Sequence, residues 1–360
     1  LIRAEPRYRI PALFLRAALK FAELPGPIPV VCGTRTFSVE YWTQDHAGKP
    51  LRASGLYAEP TCAHIRALVS YQHGSVSRRE DVPSALNVEG LAAAAVFAGG
   101  GYLTVAPDYP GMGRSPGVHP YMHAEATARA SRDLIRAAHT IAIARGTPWP
   151  EEMLLVGFSQ GGHATVALQR SLERTPLDGQ RLLGAAAGSA PFDLAHMAFP
   201  MALSGRSRDH AAYLAWLVHA YASIAQVPLD QTLRAPWASI VPGLLDGAFD
   251  EDDLPRDPRM LFTDAFLAAH DAGEVTWLHA AMAQNSTHDF TPRAPLRAYF
   301  GGEDETVSPQ DARIAVAAMR ERGGNAEVFD VGPFDHIDAA LHAVPLIRAW
   351  FDALTPAPTP

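Results

Sequence analysis

Met153-Leu-Leu-Val-Gly-Phe-Ser-Gln-Gly-Gly-His-Ala-Thr-Val-Ala-Leu-Gln-Arg170 is the stretch on which the fold turns. Met153 to Val156 reads as a short buried strand, and His163 to Arg170 is compatible with a helix. Between them Gly157-Phe158-Ser159-Gln160-Gly161 matches G-x-S-x-G. Strand, sharp turn and helix in that order form the context of a nucleophile elbow, in which the serine is held strained with its hydroxyl exposed. Gly157 and Gly161 have a steric task there, since side chains at either position would strike the neighbouring strand and helix. A bare G-x-S-x-G also arises as an ordinary Gly/Ser turn; the flanking strand and helix distinguish this one.

A serine hydroxyl is a poor nucleophile near neutral pH and requires a base that a third group orients. In this arrangement the chain order is Ser, acid, His. Tyr299-Phe-Gly-Gly-Glu-Asp304-Glu-Thr-Val-Ser-Pro309 follows an apolar strand and precedes a helix start. Glu303 and Glu305 compete with Asp304, and consecutive acids are often a solvated loop; the G-x-x-D-x-x-V spacing from Gly301 to Val307 selects Asp304. Phe334-Asp-His336 follows the next strand and supplies the base. Of 15 histidines, His342 falls inside the terminal helix and His288 inside an insertion. The separations, 304 − 159 = 145 and 336 − 304 = 32, leave room for that insertion and then for one helix-strand unit.

An oxyanion needs preorganised N–H donors. Gln160, next to the serine, is expected to give one. The loop Tyr71-Gln-His73-Gly74-Ser75 is expected to give the other, from Ser75 with Gly74 as its neighbour. Ala106-Pro-Asp108-Tyr-Pro-Gly111-Met-Gly113-Arg-Ser115 reads as a structural turn supporting that loop, with Tyr109 as a candidate substrate contact.

Outward from the elbow, strands are expected at Ile65–Tyr71, Tyr102–Ala106, Met153–Phe158, Leu183–Ser189, Leu296–Phe300 and Ala326–Val331. Helices are expected at Val88–Ala98, Ala124–Ala144, Gln160–Glu173, Gln310–Arg322 and Ala339–Leu354. This alternation predicts an α/β fold, a mainly parallel sheet with helices on both faces. Thr36–Trp42 and Leu51–Tyr57 alternate polar and apolar residues and read as an antiparallel pair at the sheet edge. Residues 191–295 break the rhythm and read as an inserted helical cap, dividing the core into 1–190 and 296–354; 355–360 reads as a Pro-rich mobile tail. In the cap, Tyr213, Leu217, Tyr221 and Ile224 share a helical stripe while Leu214, Trp216 and Val218 are apolar on other sides, so the helix is covered on two faces. Phe199, Met201, Trp216, Leu217 and Tyr221 are expected to bound a substrate pocket.

With 360 residues, 48% of them hydrophobic and 19% charged, the chain can bury one large core. The net charge of −8 offers no positive stripe for nucleic acid. Its densest basic spot, Arg78-Arg79, is offset by Glu80 and Asp81. The apolar stretch Leu91 to Ala106 is broken by Gly99-Gly100-Gly101 and is no membrane span. Cys32 and Cys62 allow one disulfide, which spacing alone does not decide. The first residues, with Arg3, Glu5, Arg7 and Arg9, hold no apolar signal core.

Ser70-Tyr-Gln-His-Gly74, Ala106 to Ser115, His119-Pro-Tyr121 and Gly157-Phe-Ser-Gln-Gly-Gly-His163 together resemble the secretory lipase branch of the α/β-hydrolases, which contains lipases and bacterial esterases. The resemblance implies the α/β-hydrolase fold and hydrolysis of carboxylic esters, small or lipid-like, without metal or organic cofactor. It also implies an acyl pocket roofed by the inserted helices. Large aromatics in the cap favour short to medium acyl groups. A secreted or periplasmic location is expected, with a cytoplasmic one as the alternative. Two other readings compete: a serine peptidase with the same residues, for which Glu274 and Arg234 are candidate anchors, and an inactive scaffold that binds. The sequence leaves the oligomeric state open.

Overall fold

The strand leading to Ser159 projects its side chains alternately. Met153 and Leu155 enter one hydrophobic cluster and Leu154 and Val156 another, as a strand buried on both faces must. In the computed structural model, which describes residues 1–356, this strand lies within a single sheet of nine.

The strands are β1 (Arg3–Ile10), β2 (Thr34–Gln44), β3 (Pro50–Pro60), β4 (Leu68–Gln72), β5 (Leu103–Pro107), β6 (Glu152–Phe158), β7 (Arg181–Gly188), β8 (Leu296–Phe300) and β9 (Ala326–Asp330). Their spatial order is β1-β2-β3-β5-β4-β6-β7-β8-β9. From β5 to β9 every neighbouring pair is parallel, whereas β1, β2 and β3 join antiparallel.

The helices are α1 (Ala12–Phe21), α2 (Val88–Val96), α3 (Ala124–Arg145), α4 (Gln160–Arg174), α5 (Phe199–Leu203), α6 (His210–Ala225), α7 (Trp237–Ile240), α8 (Asp264–Asp271), α9 (Trp277–Asn285), α10 (Pro309–Glu321) and α11 (His336–Leu354). Leu134 of α3, Val166 of α4 and Val316 of α10 pack with Met153 and Leu155. Val96 of α2 and Phe351 of α11 pack with Leu154 and Val156 on the other face. The chain therefore forms the three-layered α/β arrangement that the strand-helix rhythm predicts.

Between β7 and β8 the chain makes α5 to α9, whose core is a separate cluster containing Phe199, Leu214, Leu217, Phe262 and Met282 together with Tyr121 and Met122. Helix α6 is buried on nearly all its circumference, which requires partners on both sides. The insertion is tied down at its start, where Phe192 and Asp193 N–H groups donate to the Asp311 carboxylate at 2.9 and 3.1 Å. At its end, His163 Nε2 donates to Asn285 O at 2.9 Å.

Some expectations are corrected. The antiparallel pair does not form the edge of the sheet: β1 pairs outside β2. Arg3 reaches Glu40 at 2.6 Å across this pair, and Ala4 and Ile10 pack against neighbouring hydrophobic clusters. The tail begins later than Thr355, which is buried and accepts Arg66 at its carbonyl at 2.7 Å; residues 357–360 lie outside the described residues. Helix α2 stops at Val96 and gives way to a turn at Ala98–Gly100 that Gly101 closes at φ 92°. Helix α11 begins at His336 rather than Ala339, because the Asp335 side chain accepts the Asp338 N–H at 2.9 Å as its N-cap. Cys32 and Cys62 are bonded, with Cα atoms 5.4 Å apart, joining the segment before β2 to the one after β3. Among the described residues no helix is long and apolar enough to cross a membrane.

Candidate active site

Ser159 stands at the C-terminal end of β6, between the last strand residue Phe158 and the first helical residue Gln160. Its φ of 57° and ψ of −122° lie where a side chain is strained. The surroundings hold it there: its N–H donates to Gly188 O at 2.8 Å and its carbonyl accepts the His163 N–H at 3.1 Å. Both glycines have the steric reason expected of them. A Cβ at Gly161 would collide with the Gln72 carbonyl, and one at Gly157 with the Gly161 carbonyl.

Asp304 is buried in the turn after β8. Its Oδ1 accepts the Thr306 and Val307 N–H groups, both at 2.9 Å, and its Oδ2 accepts His336 Nδ1 at 2.8 Å. Burial opposes its charge, but the hydrogen bond and charge of His336 and the Val307 N–H outweigh that and hold the carboxyl below the ordinary aspartate value. Glu303 and Glu305 are exposed. With Nδ1 donating to Asp304, His336 keeps Nε2 free to accept a proton. The His336 ring lies 5.1 Å from that of Phe158, the residue before Ser159. No hydrogen bond joins Ser159 to His336 among the described residues; such contacts commonly tighten only when substrate is present.

The loop after β4 lies beside the elbow, since Gln72 pairs with Gly157. Here the expectation for Gly74 is corrected: its N–H donates to both oxygens of Glu89, at 3.1 and 3.0 Å, and is not available to a substrate. The Ser75 N–H makes no hydrogen bond among the described residues. Gln160, as first residue of α4, has an N–H beyond the reach of the helix's own carbonyls. The Gln160 side-chain amide is fixed by His119 Nε2 at 2.9 Å, while His119 Nδ1 donates to Pro110 O at 2.8 Å. Burial pushes the His119 imidazole down to about 4, so this neutral form persists near neutrality.

Tyr109 is likewise corrected. It is fully buried, stacks on His73 at 4.2 Å and donates its hydroxyl to His73 O at 3.0 Å. It props the loop from behind and does not line the cavity at Ser159. Asp108 does the same for the turn, accepting Ser54 Oγ at 2.6 Å and the Ser84 N–H at 2.9 Å.

A cavity of about 60 Å³ opens at Ser159 and is walled mainly by apolar side chains, among them Tyr121, Phe199, Leu217 and Met282. Of the pocket residues expected from the sequence, Phe199 and Leu217 line it. Met201, Trp216 and Tyr221 do not. Trp216 backs Tyr121 edge-on at 5.7 Å, and Tyr221 donates to Met122 O at 3.1 Å. Tyr121, Met122 and His210 are lining residues that the sequence reading left out. Tyr121 lies in the quoted His119-Pro-Tyr121 motif, which was the available signal; His210 had none. Arg234, weighed as a peptide anchor, is engaged by Phe262 O and Asp264. Among the described residues no group of His, Cys, Asp or Glu is arranged to hold a metal.

The parallel sheet, the elbow after β6, an acid turn after β8 and a histidine after β9 are the arrangement of the α/β-hydrolase fold. Similar solved structures give it particular company. A candidate hydrolase from Legionella pneumophila is 26% identical over 100% of this chain and 99% of its own, with a TM-score of 0.93. The rice cell wall degrading esterase LipA from Xanthomonas oryzae is 22% identical over 99% and 98%, with a TM-score of 0.89. Candida antarctica lipase A in its closed state is 18% identical over 99% and 83%, with a TM-score of 0.63. No protein-family model and no curated protein sequence matches the chain.

Proposed function

We propose that this protein is a serine carboxylic-ester hydrolase acting on short to medium acyl esters. The observation that carries the reading is the strained Ser159 opening into an apolar cavity, with the Asp304–His336 pair at the neighbouring strand ends. Structural likeness to an esterase and a lipase supports the same choice. In this reading His336 Nε2 takes the proton from Ser159 Oγ as the oxygen attacks the ester carbonyl. Asp304 holds the imidazole in its Nδ1–H tautomer and stabilises the imidazolium that forms. The N–H groups of Gln160 and Ser75 receive the oxyanion. The alcohol leaves with the proton from His336, and water, activated by the same imidazole, releases the acid. No cofactor enters these steps. The Cys32–Cys62 disulfide supports a location in an oxidising compartment, secreted or periplasmic.

The acidic side of the activity profile follows from the base. The Asp304 carboxyl lies below its ordinary value, so it stays ionised well below neutrality and does not set the limb. The imidazole must be neutral to accept the serine proton, so kcat/KM is expected to fall on acidification as that imidazole gains a proton. A kcat/KM profile measured with a soluble ester checks this; a flat profile from about pH 5 to 8 with the protein folded would contradict it.

The insertion acts in this proposal as a cap that sets acyl length. Each methylene that enters the cavity adds about 0.8 kcal/mol until the space is full. Because apolar side chains bound the cavity at Ser159, kcat/KM over a nitrophenyl ester series rises, peaks at a short or medium chain and then drops. Because Phe199 and Leu217 form the wall, Leu217→Ala or Phe199→Ala moves the peak to longer chains, whereas Trp216→Ala acts through Tyr121 and Tyr213, the lining residues it packs against. A rise continuing to the longest soluble ester, or a peak that neither wall variant moves, would overturn this assignment. A parallel amide substrate separates esterase from peptidase.

A further inference from the structure

Helix α6 is the long apolar helix of the insertion, yet its first residue is a fully buried histidine. His210 Nδ1 accepts the Ser207 N–H at 3.3 Å, which fixes the tautomer and leaves the proton on Nε2. That Nε2–H donates to Thr306 O at 3.1 Å. Thr306 is the residue whose own N–H donates to Asp304 Oδ1 at 2.9 Å. Asp304 Oδ2 in turn accepts His336 Nδ1 at 2.8 Å. A line of hydrogen bonds therefore runs from the turn before α6, through His210 and the Thr306 residue, to the carboxylate and the imidazole beyond it. His210 also lines the cavity that opens at Ser159.

The geometry points to His210 as a positioning residue that clips the inserted helices to the acid turn, so that the acyl cavity and the Asp304–His336 pair are held in register. This rests on the reading of Ser159, Asp304 and His336 as the catalytic set. Asp304 is held on one side by two backbone N–H groups that belong to a turn of half-buried residues. Without His210 nothing from the insertion grips the Thr306 carbonyl, and the turn can drift from the imidazole. Misplacement of a catalytic group by about 1 Å can cost 10²-fold in rate.

The groups facing His210 are Asp209 on its own segment, Asp304 in the acid turn and His336 at the start of α11. Burial, partly offset by the Thr306 carbonyl, disfavours its cation. The neutral form is also the only one in which Nδ1 accepts from Ser207.

Two amides that differ in reach test the role. In His210→Gln the side-chain NH₂ can occupy the place of Nε2 and donate to Thr306 O. In His210→Asn the amide can replace only Nδ1. Thermal unfolding establishes that each variant is folded, and a short nitrophenyl ester gives kcat, KM and the pH profile. His210→Asn is expected to lower kcat about 10-fold or more, as displacement of a catalytic group by a fraction of an ångström would, with little change in KM. Its acid limb moves to lower pH, because the imidazolium loses part of the support of the Asp304 carboxylate. His210→Gln keeps both kcat and the limb close to those of the parent. The proton between His336 Nδ1 and Asp304, read by NMR, keeps its position in the Gln variant and moves or broadens in the Asn variant.

Equal damage in both variants would overturn the proposal, as would a change in KM or acyl preference with the limb unmoved, which is what a mere wall residue produces. An undiminished His210→Asn would do the same. The Ser159→Ala control separates the levels. If that variant still turns over ester, the catalytic reading fails and this inference with it; if it is inactive while His210→Asn matches the parent, only the role of His210 fails.

Discussion

Ser159→Ala is expected to lower ester turnover by about 10⁶-fold, the scale of losing the nucleophile in a serine hydrolase, while leaving the fold intact. The side chain makes no hydrogen bond among the described residues, and the elbow is held by backbone contacts to Gly188 and His163 that alanine retains. Neither a buried partner nor a large apolar area is lost, so thermal unfolding is expected to change little. The comparison of steady-state turnover with thermal unfolding for the same preparation checks both halves. Retention of a tenth of the parental turnover would remove Ser159 from the reaction.

Asp304→Asn is expected to cost about 10⁴-fold in kcat, by the template in which this carboxylate sets the tautomer of the base. Its Oδ1 is held by two N–H donors, so an amide oxygen is drawn to that side and the NH₂ is turned toward His336. That NH₂ would donate to Nδ1 and drive the imidazole proton to Nε2, the atom that has to accept from Ser159. Glu303→Gln and Glu305→Gln serve as controls because both side chains are exposed. Kinetics of the three variants decide among the acids: a large loss in either glutamine variant with Asp304→Asn near the parent would transfer the role.

The sequence carried some of this well and some of it not at all, for physical reasons. The elbow was legible because it is local: two glycines are required where carbonyls of Gln72 and Gly161 leave no room for a Cβ. The strands β4 to β8 were legible because burial on both faces demands short, largely apolar runs. β1 was not, since Arg3–Ile10 is an edge strand with mostly exposed residues and no continuous apolar run. Nor was the anchoring of Thr355, whose small polar side chain gave no sign that Arg66 and Tyr102 would hold it.

The pocket illustrates a further limit. A helix apolar around its whole girth tells the reader that it is covered, not which side faces a cavity; α6 turns Leu217 toward Ser159 and Trp216 behind Tyr121. The oxyanion loop shows the same for polar groups. Gly74 and Ser75 are adjacent in sequence, but only the position of Glu89 in the first turn of α2 reveals that the Gly74 N–H is already engaged. His210 belongs to this class too, its partner Thr306 lying almost a hundred positions away in the chain.

If Ser159 is the nucleophile of an ester hydrolase, a covalent probe of activated serines must modify it. A fluorophosphonate mimics the tetrahedral state and reacts only with a serine that a neighbouring base activates. The protein is treated with the probe, digested and mapped by mass spectrometry, with a short nitrophenyl ester present in a parallel sample. One adduct is expected, on Ser159 within the Gly157–Gly161 elbow, formed in step with loss of turnover and slowed by the ester. An adduct on another residue, or full loss of ester turnover with Ser159 unmodified, would contradict it.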